Sequence, residues 1–166
     1  MLAGAAAGFG LNAQASGGAA AQLIGAARLT VWGFEVYNAR LLAAPGFQRD
    51  RYAQHPFTLE LAYLRSFDGS DIAQRSLKEM QRVDDFSDAQ AQKWLAEMTR
   101  LFPDVKRGDR LAGIYTPGTG VRFVFNDKPL GEVRDADFAR VFMGIWLSPK
   151  TSEPAMREQL LAGAAP

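Results

Sequence analysis

From Phe57 to Leu64 the chain changes character at almost every step. Phe57, Leu59, Leu61 and Tyr63 alternate with Thr58, Glu60 and Ala62. A period of two places the first set on one face of a β-strand and the second set on the other. One face is apolar and the other is mixed, which predicts a sheet covered on one side only.

The rest of the chain supplies companions for that strand. Leu29 to Leu42 reads as extended structure, rich in the β-formers Val31, Trp32, Phe34, Val36 and Tyr37, with Gly33 as a turn or bulge inside it. Pro45-Gly46 and His55-Pro56 mark loops. A helix is predicted from about Ser70 to Arg82, where Ala73, Leu77 and Met80 recur at i, i+4 and i+7. Ser87 and Gln90 form a capping box for a second helix, whose buried stripe is Trp94, Met98 and Leu101 and whose end is set by Pro103. Leu111 to Tyr115 and Val121 to Phe125 flank Pro117-Gly118-Thr119-Gly120 as a hairpin. Asn126-Asp127-Lys128-Pro129 turns the chain into a short strand ending near Val133. Phe138, Val141, Phe142, Ile145 and Trp146 make one apolar helix face. Ser152 is expected to cap a last helix with Pro154 in its first turn and Gly163 at its C-terminal exit. Strands, two helices, strands, two helices: this order predicts an α+β domain, a mostly antiparallel sheet with helices on one face.

At 166 residues the chain is long enough for one sizeable core, and eleven Phe make that core aromatic-rich. A formal net charge of +1, with no long run of one sign, argues against a nucleic-acid groove built on clustered cations. The absence of Cys excludes disulfides and thiolate metal sites. Met1 to Ala15 is uncharged, rich in Ala, Gly and Leu, and ends in Ala13-Gln14-Ala15. This A-x-A ending reads as the remnant of a signal peptide, although the basic start of such a peptide is missing; the competing reading is an Ala/Gly tail. Residues 16–22 are then a flexible linker and residues 23–163 the domain. No segment is expected to remain as an integral membrane span in the mature chain.

Catalytic chemistry finds little support in the residue types. His55, in a loop, is the single histidine, and no Ser sits in a G-x-S-x-G turn, so a Ser-His-Asp triad is disfavoured. Asp84, Asp85 and Asp88 flank the Ser87 helix start, where acids favour the helix dipole without any metal. Gly118-Thr119-Gly120 lacks the Lys-Ser/Thr and the following helix of a phosphate loop. Lys93 and Glu97 read as an exposed i,i+4 pair, and Met80, Met98 and Met143 as core fillers. No metal or cofactor is expected.

Arg28, Tyr37 and Arg40 stand out, because they lie among apolar neighbours on the first strands. An Arg on a covered sheet face needs an anion. That anion is either a protein carboxylate or a ligand carboxylate or phenolate, which a guanidinium binds bidentately. Tyr63 and Arg65 pose the same question; Tyr63 has the apolar parity, so its ring belongs to the core with its hydroxyl at the rim.

Together these segments resemble the chalcone isomerase-like family, its bacterial subgroup in particular. Val36-Tyr37-Asn38-Ala39-Arg40-Leu41 is similar to a family strand, and Phe57 to Leu61 running into Tyr63-Leu64-Arg65 is similar to the next one. Phe142 to Ser152 resembles the closing helix and its exit. Leu101 to Val105 and Phe125 to Gly131 fit the bacterial subgroup, and the likeness spans about Leu23 to Gly163. It implies an open-faced β-sandwich, a curved antiparallel sheet with helices on one side and a cleft between them. It also implies an export signal, and hence a periplasmic or secreted protein. Arg28 matches the family's ligand-binding Arg, and Tyr37 matches the Tyr that helps hold a carboxylate in the fatty-acid binders. The isomerases have Thr at that place, and a Tyr and an Asn in the region that here runs from Ser66 to Arg75. This chain offers Asp68, Ser70, Gln74 and Arg75 instead.

The resemblance therefore implies a non-catalytic protein holding a small apolar acid, such as a fatty acid, with Arg28, Tyr37, Arg40 and Tyr63 as binding residues. An intramolecular lyase or isomerase acting on a chalcone-like phenol is a second reading. A structural or interaction module with a filled cleft is a third. The oligomeric state is not set by these features.

Overall fold

The computed structural model describes residues 20–166. The stretch read as a signal peptide, and most of the linker after it, lie outside the described residues. Six strands form one sheet in sequential order, β1 (Gln22–Val31), β2 (Phe34–Ala43), β3 (Phe57–Tyr63), β4 (Arg110–Thr116), β5 (Gly120–Phe125) and β6 (Lys128–Val133). Every neighbouring pair is antiparallel. A short 3-10 helix, Arg49–Gln54, bridges β2 and β3, and α1 (Gly69–Val83) and α2 (Asp88–Leu101) are inserted between β3 and β4. The chain closes with α3 (Ala136–Leu147) and α4 (Pro154–Leu160). This is the open-faced α+β arrangement that the patterns predict.

The period-two strand positions the core. On β3 the buried residues are Phe57, Leu59, Leu61 and Tyr63, each alternating with a partly exposed one. Their partners across the sheet, Ala43, Leu41 and Ala39 on β2 and Tyr115, Gly113 and Leu111 on β4, are buried on the same face. α3 covers this face with Phe138, Phe142 and Trp146, whose successive rings lie 5.4 Å apart. Phe123 meets Phe142 edge-on, also at 5.4 Å. Such contacts satisfy the ring quadrupoles as well as removing apolar area from water.

The helix starts show local and distant caps. Ser87 and Gln90 form the expected capping box at the start of α2. At α3, Asp135 accepts from the Phe138 amide at 3.1 Å and from the Trp94 indole at 2.9 Å. Burial works against the Asp135 charge, but these donors hold its carboxyl below the usual range. The start of α1 is served from outside: the Gly69 amide donates to Asp104 at 2.8 Å.

Four expectations need correction. The extended segment at Leu29 to Leu42 turns at Gly33 as expected and forms two hairpin strands, but the first of them begins well before Leu29, at Gln22. Ser152 does not cap α4; the N-cap is Glu153, and the Ser152 hydroxyl instead donates to Glu79 on α1 at 2.7 Å. Glu97 pairs with Arg100 at 2.8 Å rather than with Lys93. Gly163 is not a left-handed helix exit, because α4 ends at Leu160 and Gly163 lies against β1, where its amide donates to the Ile24 carbonyl at 2.9 Å. A Cβ on Gly163 would stand 2.6 Å from that carbonyl oxygen, so the close approach requires a glycine.

Candidate ligand-binding site

β2 and β3 bring Tyr37 and Tyr63 side by side as the last pair of their register. Both point to the helix-covered face, with ring centroids 5.8 Å apart and planes near perpendicular. The Trp146 indole on α3 donates to the Tyr37 hydroxyl at 2.9 Å. Tyr37 is thus used as an acceptor, and its own proton has no acceptor among the described residues. Tyr63 is buried to 4% exposure, and its hydroxyl has no hydrogen-bond partner among the described residues. No enclosed side-chain polar atom is left unpaired among them, so that hydroxyl sits at the rim of the core, where it meets solvent.

Burial pushes the Tyr37 phenol up to about 12, opposed by the Trp146 hydrogen bond and raised further by Glu153 and Glu79, while Arg75 acts in the opposite sense. Burial raises Tyr63 as well, with Tyr37 adding to the effect. Both side chains are neutral donors at ordinary pH rather than bases. The charges beside them form a small network. Glu79 is 12% exposed and is held by Arg75 at 3.2 Å and by the Ser152 hydroxyl.

Behind the tyrosines, between the sheet and α3, lies an apolar cavity bounded by Leu59, Leu61, Leu111, Gly113, Phe142, Met143 and Trp146, among others. Its volume is about 20 Å³. Sites for drug-sized ligands run to roughly 300 Å³ and more, so this cleft is closed by the protein's own side chains.

The other two residues singled out from the sequence lie elsewhere. Arg28 pairs with Asn38 in register, on the open face of the sheet. It donates to the Asn38 side chain at 2.8 Å and forms an ion pair with Glu35. The anion it needs is a protein carboxylate. Arg40, also on the open face, lies 3.5 Å from Glu60. The structure therefore joins Tyr37 to Tyr63 and separates both from Arg28 and Arg40. Sequence reasoning placed Trp146 in the core but missed its hydrogen bond to Tyr37. It missed the Arg75–Glu79–Ser152 network too; the i,i+4 spacing of Arg75 and Glu79 was the available signal.

The chain matches the family model described as chalcone isomerase-like over residues 5–162. It belongs to the chalcone isomerase-like family. A protein of Haemophilus influenzae that carries the name "uncharacterized protein" is 36% identical over 141 residues, covering 84% of this chain and 67% of that one. Among solved structures, an Arabidopsis thaliana fatty-acid binding protein superposes with a TM-score of 0.68. That match covers 89% of each chain at 14% identity, and shows a shared chalcone isomerase-like fold. No helix among the described residues is long and apolar enough to cross a membrane.

Proposed function

We propose that the protein is a non-catalytic binder of a small apolar acid, such as a fatty acid, held between the sheet and α3. The observation that carries this reading is the pair of phenols, Tyr37 and Tyr63, whose hydroxyls donate to no described residue and which adjoin Trp146 and Leu61 of the apolar cleft lining. Hydroxyls at the rim that donate to no protein group are free to donate to a ligand that supplies an acceptor. The carboxylate would accept hydrogen bonds from both hydroxyls and from the Arg75 guanidinium, and the tail would run toward Leu59 and Met143. Arg75 takes the cationic role that the family resemblance gave to Arg28. The likeness to a fatty-acid binding protein supports the same class of ligand.

Native mass spectrometry and thermal shift with a series of fatty acids test this. Binding should raise the melting temperature by mass action. The Tyr37→Phe, Tyr63→Phe double variant should bind about a hundred-fold or more weakly, since each of the two lost bonds to a charged acceptor is worth about 1.5–3 kcal/mol. Arg75→Gln should also weaken binding, whereas Glu79→Gln should strengthen it by releasing Arg75. Failure of every acid to bind would favour the reading that the cavity of about 20 Å³ independently supports, a structural or interaction module with a filled cleft.

A further inference from the structure

At the tip of the β1–β2 hairpin the chain turns through two residues, Trp32 and Gly33, between the paired Val31 and Phe34. Both turn residues have positive φ, 54° and 80°. Gly33 adopts this at no steric cost, and Asn or Asp would be the usual companion in such a turn. Trp is a strained choice there. It contributes nothing to the core either, because Trp32 is 93% exposed. Phe34 beside it is 59% exposed. A strained, solvated Trp next to a solvated Phe has no account in the stability of this fold.

Cations outnumber acids around this apex: Arg65 and Arg107 line the groove beside it together with one carboxylate, Glu35, which is paired with Arg28. The Arg65 guanidinium lies over the Phe34 ring, 4.4 Å from its centroid. Arg65 and Arg107 line an open groove with Gly33 and Phe34. Neither Arg, nor the neighbouring exposed Lys106, has an ion pair among the described residues. Several acids at this end of the sheet are engaged, Glu35 by Arg28, Asp127 by Arg110, Asp109 by the Asn126 side chain and the Lys106 amide, and Asp104 by the Gly69 amide, whereas Asp68 is exposed. A guanidinium stacked on an aromatic face keeps its in-plane N–H groups free for a phosphate.

We propose that the Trp32–Phe34 apex, with Arg65, Arg107 and Lys106, docks on an anionic phospholipid surface. Trp and Phe on a narrow protruding turn can enter the headgroup boundary, where the amphipathic indole is at home. The free cations lie close behind to meet phosphate and other anionic headgroups. A stable protein interface would need about 800 Å² on each partner, which favours a bilayer over a protein for a two-residue apex. The tyrosine pair lies on the same end of the sheet as this apex, so docking would hold that pair toward the lipid. The docking itself does not depend on the acid-binding reading.

Vesicle co-sedimentation at low ionic strength tests it, with intrinsic fluorescence as a second readout. Trp94 and Trp146 are buried, so an emission shift reports Trp32. Vesicles of equal parts phosphatidylcholine and phosphatidylglycerol should bind the protein and shift its emission to the blue; phosphatidylcholine alone should do so far less. Trp32→Asn keeps the turn, because Asn tolerates positive φ, and should abolish the shift and most of the binding. Arg65→Gln with Arg107→Gln should weaken binding about thirty-fold at low salt. Equal binding to both vesicles, no binding to either, or binding that Trp32→Asn and Phe34→Ser leave intact would overturn the proposal. Absence of vesicle binding would leave the apex to a protein partner, whatever the outcome of the fatty-acid experiments.

Discussion

Tyr37 shows how one side chain records its environment. Its ring packs against Tyr63, its oxygen accepts from Trp146, and burial dominates its ionisation. The folded phenol, at about 12, lies above its usual value of 10.0. Between these pH values the folded chain binds more protons than the unfolded chain, so stability must fall as pH rises through that window. The stabilisation is fully present below pH 10. Tyrosinate absorbance should therefore lag behind that of free tyrosine until the protein unfolds, and Tyr37→Phe should unfold less readily than wild type above pH 10. A wild-type chain that releases the Tyr37 proton near pH 10 without unfolding would contradict the buried, neutral phenol. Arg28 makes the complementary point. Its type and neighbours were legible in the sequence, but its face was not. The bulges in β1, at Leu23/Gly25 and Leu29/Thr30, break the alternation from which a face is counted.

At the scale of elements, what is local in sequence is also local in cause. The Ser87–Gln90 box was legible because both partners sit within one turn. Ser87→Ala should cost about 1 kcal/mol, read as a lower denaturant midpoint with an unchanged slope. Gly163 is different, since the backbone it touches is that of Ile24, at the other end of the chain. Gly163→Ala must push α4 away from β1 and should cost about 1–3 kcal/mol by the same measurement, the range for overpacking. If Gly163→Ala proved neutral, the seal of α4 over the sheet edge would not be as tight as described. The misassigned Ser152 cap has the same origin as the hidden role of Gly163. Its hydroxyl is drawn away by Glu79, 73 residues earlier, and no window of sequence contains both. The period-two strands escape this problem because burial of one face fixes them without reference to a particular partner.

For the whole molecule, the antiparallel sheet with helices on one face followed from the sequence, and its order is simple because every strand pairs with its neighbour in the chain. The state of the cleft did not follow, because it depends on how Met143, Phe142 and Trp146 interdigitate over Leu59, Leu61 and Gly113. Met143 is the movable part of this plug. It is 1% exposed, and its terminal methyl lies 2.9 Å from where a Cβ on Gly113 would be, so it fills the space that the missing side chain leaves. A flexible thioether can leave such a position more easily than a ring can. Met143→Ala should therefore lower the melting temperature of the free protein, at a cost of about 2–5 kcal/mol. A filled-core module predicts that loss and nothing more. A binder whose cleft opens by displacing Met143 predicts a second effect. The work of displacement is removed, so added fatty acid should raise the melting temperature of Met143→Ala by more than it raises that of wild type. Parallel melts with and without acid separate the two: a larger ligand-induced gain identifies the plug as a gate, and an unchanged gain leaves it part of the core.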